Sequence, residues 1–389
     1  MDNVAQIYAE RLEIMDDVNN GRVPKRVPIL CSCSTWAYYY KGYKPMDGIM
    51  NEEVALEVSR AIYADFYWDV TEIDPIILHH PDVYELLGGG TFTFNQDGMP
   101  QTKPGAVKVM EADEYPELIA DPYKYLLEKV LPRRYKLFSQ ELDFETKYES
   151  LLKYFSFQKE IGRKKMLHDQ MAQQEFGMPN AVQGMLIAPV DYILDSLRDF
   201  HGIMQDIKRR PELVREAGMA LIDYSLASVA NIEPEKGKTV LIPMHLPTFI
   251  SPRDFEKVYW PSYQALINDL VEKGFTVKCA FERKYEHLFD YLQELPQNKI
   301  VAVVEDDDIR LFKEKLGDRM AIQGGMPTQT LYYGTKEECL DLAKGLIDDL
   351  APGGGYIFST NRAMIAVTDG NPENLQAVNE FVREYAVYK

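Results

Sequence analysis

Four places in this 389-residue chain put side chains able to move a proton or hold a metal directly after a short apolar run. His245 follows the run Thr239–Met244, where an imidazole could ligate a metal or transfer a proton; a hydrogen-bonded structural histidine explains the same position equally well. Lys278-Cys279-Ala280-Phe281-Glu282 sets a thiol and a carboxylate three residues apart at the end of a second run. Strand alternation puts Cys279 and Phe281 on one face and Ala280 and Glu282 on the other, so both polar groups reach one space only if the strand ends between them. A buried, inert Cys279 is the simpler reading. Glu305-Asp306-Asp307-Asp308 follows Ile300–Val304; a helix-capping aspartate accounts for most of this acidity, with Glu305 or Asp306 delivered inward by the strand. His79-His80 is the fourth place, one ring facing a pocket and the other the surface. His245, Cys279, Glu282 and Glu305 together would make the mixed N/S/O set that suits Zn²⁺, although their separations are too wide for a motif.

An aromatic segment, Trp36 to Tyr43 with Tyr38, Tyr39 and Tyr40 between, follows the first apolar run. Such density beside a pocket suits a flat ligand with a few polar handles, held by Trp36 and Tyr39 and, across the pocket, by His79 and Asp306. Core packing, or a contact in a homodimer, accounts for the aromatics equally well. There is no phosphate-binding glycine loop, Gly-x-Ser-x-Gly elbow, His-Glu-x-x-His or paired Cys-x-x-Cys, which removes support from nucleotide, serine-hydrolase and zinc-finger chemistry.

Residues at these places act together only if the chain brings the ends of its apolar runs to one side. Eight candidate strands, at 27–32, 69–73, 183–188, Thr239–Met244, 276–281, Ile300–Val304, 320–324 and Tyr356–Thr360, alternate with helical segments, the pattern of repeated βα units closing into an α/β (β/α)8 TIM barrel. In that fold the carboxyl ends of the strands line the pocket. Helix starts are marked by Asp121-Pro122, Ser251-Pro252 and Asn371-Pro372, a capping oxygen before a proline, and by a capping box at Thr335 and Glu338. Pro261 should kink the helix that follows Ser251. Cys339 reads as a packed core residue. Residues 1–26 form a helical extension, about 88–100 a hairpin insertion and about 143–178 a charged helical insertion, all within a single barrel domain covering 1–389.

Sixty-one acidic against 43 basic residues give a net charge of -18, which disfavours nucleic acid and anionic membranes as partners. No apolar run approaches the roughly 20 residues of a membrane helix, and four scattered cysteines do not make a disulfide framework. A cytoplasmic protein is expected.

Several stretches resemble the uroporphyrinogen decarboxylase superfamily. Leu316-Gly317 leading to Gly324-Gly325 and Pro327 is similar to its strand-and-loop segment, and Gly334-Thr335, Gly353 to Tyr356 and Asn371-Pro372 follow in family order. Asp74-Pro75, Leu87-Gly88-Gly89 and Asp97-Gly98 resemble its first half. The resemblance implies a barrel covered by insertions and two kinds of enzyme. Tetrapyrrole decarboxylases carry an early arginine-rich signature that holds the substrate's carboxylates, whereas residues 30–40 contain no Arg. The corrinoid-dependent methyltransferase branch binds zinc through His-x-Cys after the fifth strand and a Cys after the eighth; here the stretches read 278–282 and 359–363, with Cys279 alone of that type. Either the metal site is rebuilt around His245 and nearby acids, or this member works without zinc.

The resemblance therefore implies a methyltransferase moving a methyl group between a small methylated compound, such as a methoxyaromatic, or a thiol, and cobalamin carried by a partner corrinoid protein docked over the barrel mouth. His245, Glu282 and Glu305 are the expected catalytic residues, with His245, Cys279 and Glu282 as the metal set. Porphyrinogen decarboxylation and a non-catalytic ligand-binding barrel are the other readings.

Overall fold

A computed structural model describes residues 2–72 and 80–388. His79 and the Asp74-Pro75 pair lie outside the described residues. Eight strands run parallel around one axis: β1 (Leu30–Cys31), β2 (Val70–Thr71), β3 (Val182–Met185), β4 (Thr239–Met244), β5 (Val277–Phe281), β6 (Ile300–Val304), β7 (Ala321–Met326) and β8 (Tyr356–Thr360). β3 to β8 pair in chain order as one six-stranded sheet, and β1 pairs with β2 through Leu30 and Val70. Parallel bridges between Ile29 and Phe358 and between Thr71 and Asn180 join the two groups. The sheet thereby closes into a (β/α)8 barrel with no free edge. β1 and β2 are shorter than expected; Pro28, which has no N–H, enters the closure only as an acceptor, its carbonyl taking the Phe358 N–H at 2.9 Å.

Alternation along each strand sorts the core into two regions. Residues such as Val240, Ile242, Met244, Cys279 and Phe281 pack outward beneath the helices. Leu30, Val70, Ala181, Val301, Ala321 and Ile357 instead form a separate apolar cluster inside the barrel. Met15 and Val18 of the helix Asp2–Asn19 complete that cluster, so the first helix closes the end opposite the pocket.

The helix punctuation follows the capping chemistry. Ser251, Asp121 and Asn371 each accept a backbone N–H at the start of a helix, and Thr335 and Glu338 form a reciprocal capping box. Pro261 is accommodated without a sharp break: a π-helical turn, Phe255–Tyr259, precedes it, and the proline opens the next α-helix, Trp260–Glu272. Phe92–Phe94 and Pro100–Thr102 pair as an antiparallel hairpin, its turn held by Asn95 Oδ1 accepting from Asp97 and Met99 N–H. A 33-residue helix, Phe144–Phe176, is capped by Asp143 and ended by left-handed Gly177.

Candidate active site at the carboxyl end of the barrel

A cavity of about 480 Å³ opens where the carboxyl ends of the strands meet. Its apolar wall comes from inward positions on three adjacent strands, Leu241 and Pro243 of β4, Ala280 of β5 and Val303 of β6. Its polar groups are Glu72, Glu282, Glu305, Gln323 and Thr360, with Asn361 and Arg362 at the rim. Continuing the same alternation past the strand ends delivers Glu282 from β5 and Glu305 from β6. Glu305 Oε2 accepts the Arg283 N–H at 2.8 Å, where Arg283 takes a left-handed backbone (φ 68°) that turns the chain away after Glu282.

The floor is polar. Lys278, inward on β5 and fully buried, has Nζ 3.2 Å from Glu72 Oε2. Gln323 Nε2 donates to the same oxygen at 2.7 Å. Ser32 and Thr360 share a hydrogen bond between hydroxyls beside them. Burial pulls the Lys278 ammonium below its ordinary pKa, and the Glu72 carboxylate opposes that pull. None of Glu72, Lys278 and Gln323 was singled out by motif or strand-end position. Their signal in the sequence is a lone polar residue at an inward position of an otherwise apolar strand, as in the 276–281 and 321–326 runs.

His245 continues the inward face of β4. Its Nδ1 lies 2.6 Å from Asp195 Oδ2, and its Nε2 lies 3.3 Å from Glu282 Oε1. These carboxylates raise the imidazole pKa to about 11, Asp195 contributing most, so the ring is a cation at neutral pH. Asp195 lies on the π-helical turn Leu194–Arg198 after the helix Pro189–Ile193, which carries Asp191. Asp191 is fully buried and accepts Leu246 N–H at 2.9 Å, His245 N–H at 3.2 Å and the Tyr259 hydroxyl at 2.7 Å. Burial lifts its carboxyl to about 6 despite the nearby imidazolium. Asp191 thus pins the backbone at the end of β4, while Asp195 orients the ring.

His245 and Glu282 are therefore brought together, and Glu282 and Glu305 share the cavity. Cys279 leaves the expected metal set. Its thiol points outward from β5, fully buried, and receives the Tyr263 hydroxyl at 2.9 Å; burial pushes its pKa up to about 12. The inward residues of β5 are Lys278 and Ala280, neither a zinc ligand in this setting. Both nitrogens of His245 face carboxylates, and no third ligand atom of the described residues converges with the His245–Glu282 pair, so the residues present do not make the ligand set of zinc. Among the described residues, His, Cys, Asp and Glu ligand atoms converge only at Glu13, Asp16 and Asp17, on the first helix and away from the barrel mouth.

Three expected ligand contacts fall elsewhere. Trp36 is buried, stacked on Tyr40 with centroids 5.4 Å apart, its indole N–H given to the Gly370 carbonyl at 3.0 Å. Tyr39 is half-buried and does not line the cavity. Asp306 is exposed, the strand having delivered Glu305 inward and turned Asp306 away; Asp308 caps the helix Ile309–Leu316, as the acidic run suggested. His80 also has a local role, accepting the Asp82 N–H at 3.2 Å at the start of the helix Pro81–Leu87.

Residues 170–385 match the sequence profile of uroporphyrinogen decarboxylase (URO-D). No curated protein sequence matches the chain. Among solved structures, a methyltransferase from Methanosarcina mazei is similar, with a TM-score of 0.61 and 14% identity over 95% of this chain and 97% of that one.

Proposed function

This chain belongs to the uroporphyrinogen decarboxylase family, and on that premise we propose that it is a methyltransferase acting with a corrinoid protein, moving a methyl group between a small methylated compound or thiol and the partner's cobalamin. The observation that carries this reading is the charge of the cavity. Three carboxylates, Glu72, Glu282 and Glu305, face it, and the cations near it are dispersed: Lys278 is paired with Glu72, His245 with Glu282, and Arg362, exposed at the mouth, is the one guanidinium among the described residues that lines it. A tetrapyrrole bearing many carboxylates needs the reverse, a cluster of arginines. The likeness in fold to a protein named as a methyltransferase agrees with this reading. A membrane-crossing helix is absent among the described residues.

A partner corrinoid seated over the mouth would supply the cobalt that gives or takes the methyl group. The chain's own residues bind, orient and exclude water. Leu241, Pro243, Ala280 and Val303 would hold the methylated end of the substrate in an apolar wall. Glu282, braced by the imidazolium of His245 and through it by Asp195, would face the heteroatom of the methylated compound or thiol and accept a hydrogen bond from the proton it carries, so that a protonated heteroatom loses its methyl as a neutral leaving group. With its pKa near 11 His245 is a weak acid, so its role is to fix Glu282 and its charge rather than to donate a proton.

The test is direct. The protein is incubated with methylcobalamin or Co(I) corrinoid and a panel of methylated donors and thiols, and separately with uroporphyrinogen. Methyl transfer with a corrinoid is expected; product from the tetrapyrrole alone would overturn the proposal.

A further inference from the structure

One buried acceptor at the edge of the cavity is left over once the floor's own hydrogen bonds are made. Gln323 is 3% exposed, and its Nε2 donates to Glu72 Oε2 at 2.7 Å. That bond fixes the amide's orientation, because the flipped amide would set two oxygens against each other. Gln323 Oε1 then has no hydrogen-bond partner among the described residues, on a residue that lines the cavity; Lys278 Nζ, in an ion pair with Glu72 rather than a hydrogen bond, does not supply one, and unlike Gln323 it lies off the cavity. A buried carbonyl oxygen without a donor is unfavourable, and a ligand with an N–H or O–H would relieve it.

The charge around this acceptor narrows the ligand further. Of the carboxylates that line the cavity, Glu72 is paired with the buried Lys278 ammonium and Glu282 with the His245 imidazolium, whereas among the described residues Glu305 accepts only the Arg283 backbone N–H. Arg362 lines it from an exposed position at the rim. An anionic ligand would meet the Glu305 carboxylate, and a neutral methoxyaromatic would supply neither charge nor donor. Leu241, Pro243 and Val303 still provide apolar surface for methyl groups.

The geometry points to a protonated methylated amine as the small compound that this cavity takes, its N–H given to Gln323 Oε1 and its positive charge facing Glu305, the cavity carboxylate without a cationic partner among the described residues. The fate of its methyl group rests on the methyltransferase reading above; its recognition rests on charge and hydrogen bonding alone.

Binding is measured by titration calorimetry at pH 7 with trimethylammonium, tetramethylammonium, anisole and 4-methoxybenzoate. Trimethylammonium is expected to bind about tenfold tighter than tetramethylammonium, which keeps the charge but has no N–H, with anisole weaker and 4-methoxybenzoate weakest. Either methoxy compound binding as tightly as trimethylammonium, or no binding by the amine, overturns the inference. In Gln323→Leu the affinity for trimethylammonium should fall about tenfold, to that of tetramethylammonium; an unchanged affinity also overturns it and leaves Oε1 as the partner of a water. If that variant does not fold, Glu305→Gln on the cavity wall should weaken trimethylammonium several-fold and leave anisole unchanged, and an equal effect on both is fatal to it. Methyl transfer to Co(I) corrinoid is followed in parallel. Amine binding without transfer removes the methyltransferase reading and leaves this inference standing, whereas transfer confined to methoxy donors does the opposite.

Discussion

Lys278 and Glu72 meet 3.2 Å apart inside the barrel, one from the second residue of β5 and the other from the residue after β2. Neither charge is appreciably solvated, so each depends on the other for compensation, and Glu72 also on the Gln323 amide.

Removing one partner should therefore be far more damaging than removing both. Glu72→Ala is expected to cost about 3–5 kcal/mol in denaturant unfolding, since it leaves a buried ammonium alone. The double variant Glu72→Gln, Lys278→Met should be clearly more stable than Glu72→Gln by itself. Single and double variants of equal stability would show that the pair is not coupled.

The imidazole of His245 should remain doubly protonated through the neutral range. Its pKa is raised to about 11 in the folded chain, against about 6.5 unfolded. Its contribution to stability is fully present below about 6.5 and fades as the pH rises toward 11. Nitrogen NMR should find both ring N–H groups at pH 8, and the stability gap between the natural chain and His245→Gln should shrink between pH 7 and 10. A neutral ring at pH 8 would contradict the Asp195 and Glu282 contacts.

Cys279 should be chemically silent. Cys31, Cys33, Cys279 and Cys339 are all buried with free thiols. An aromatic disulfide reagent is expected to label none of the four within minutes in the native protein and all four after denaturation. Cys279→Ala should leave bound-metal content unchanged, and a loss of stoichiometric metal in that variant would restore the thiol to a metal site.

Thr335→Ala provides a contrast distant from the cavity. Loss of its bond to the Glu338 N–H should lower stability by about 1 kcal/mol. Ligand affinity should not move; a change in affinity would mean that the helix end couples to the pocket.

The βα alternation and the helix starts were readable along the chain because they depend on local chemistry. A capping oxygen before a proline acts within one turn, and an apolar run of five or six residues is a strand wherever it packs. Glu305 was legible for the same reason, as the first acid after an apolar strand. Trp36 and Tyr39 misled because aromatic density looks alike in a pocket wall and in a helix interface; the acceptor that absorbs the Trp36 indole, the Gly370 carbonyl, lies 334 residues away.

The sequence by itself determined the barrel, its punctuation, its acidity and the strand ends where a site would form, since periodicity and caps are short-range. Which side chains share that site was decided only by closure of the sheet. Closure brings Glu72 from the end of the second strand against Lys278 from the fifth and Gln323 from the seventh, and it turns Cys279 outward to Tyr263. It also sets His245 between Asp195 and Glu282. Such contacts depend on strand register and tilt around the whole ring, which no local stretch of residues encodes.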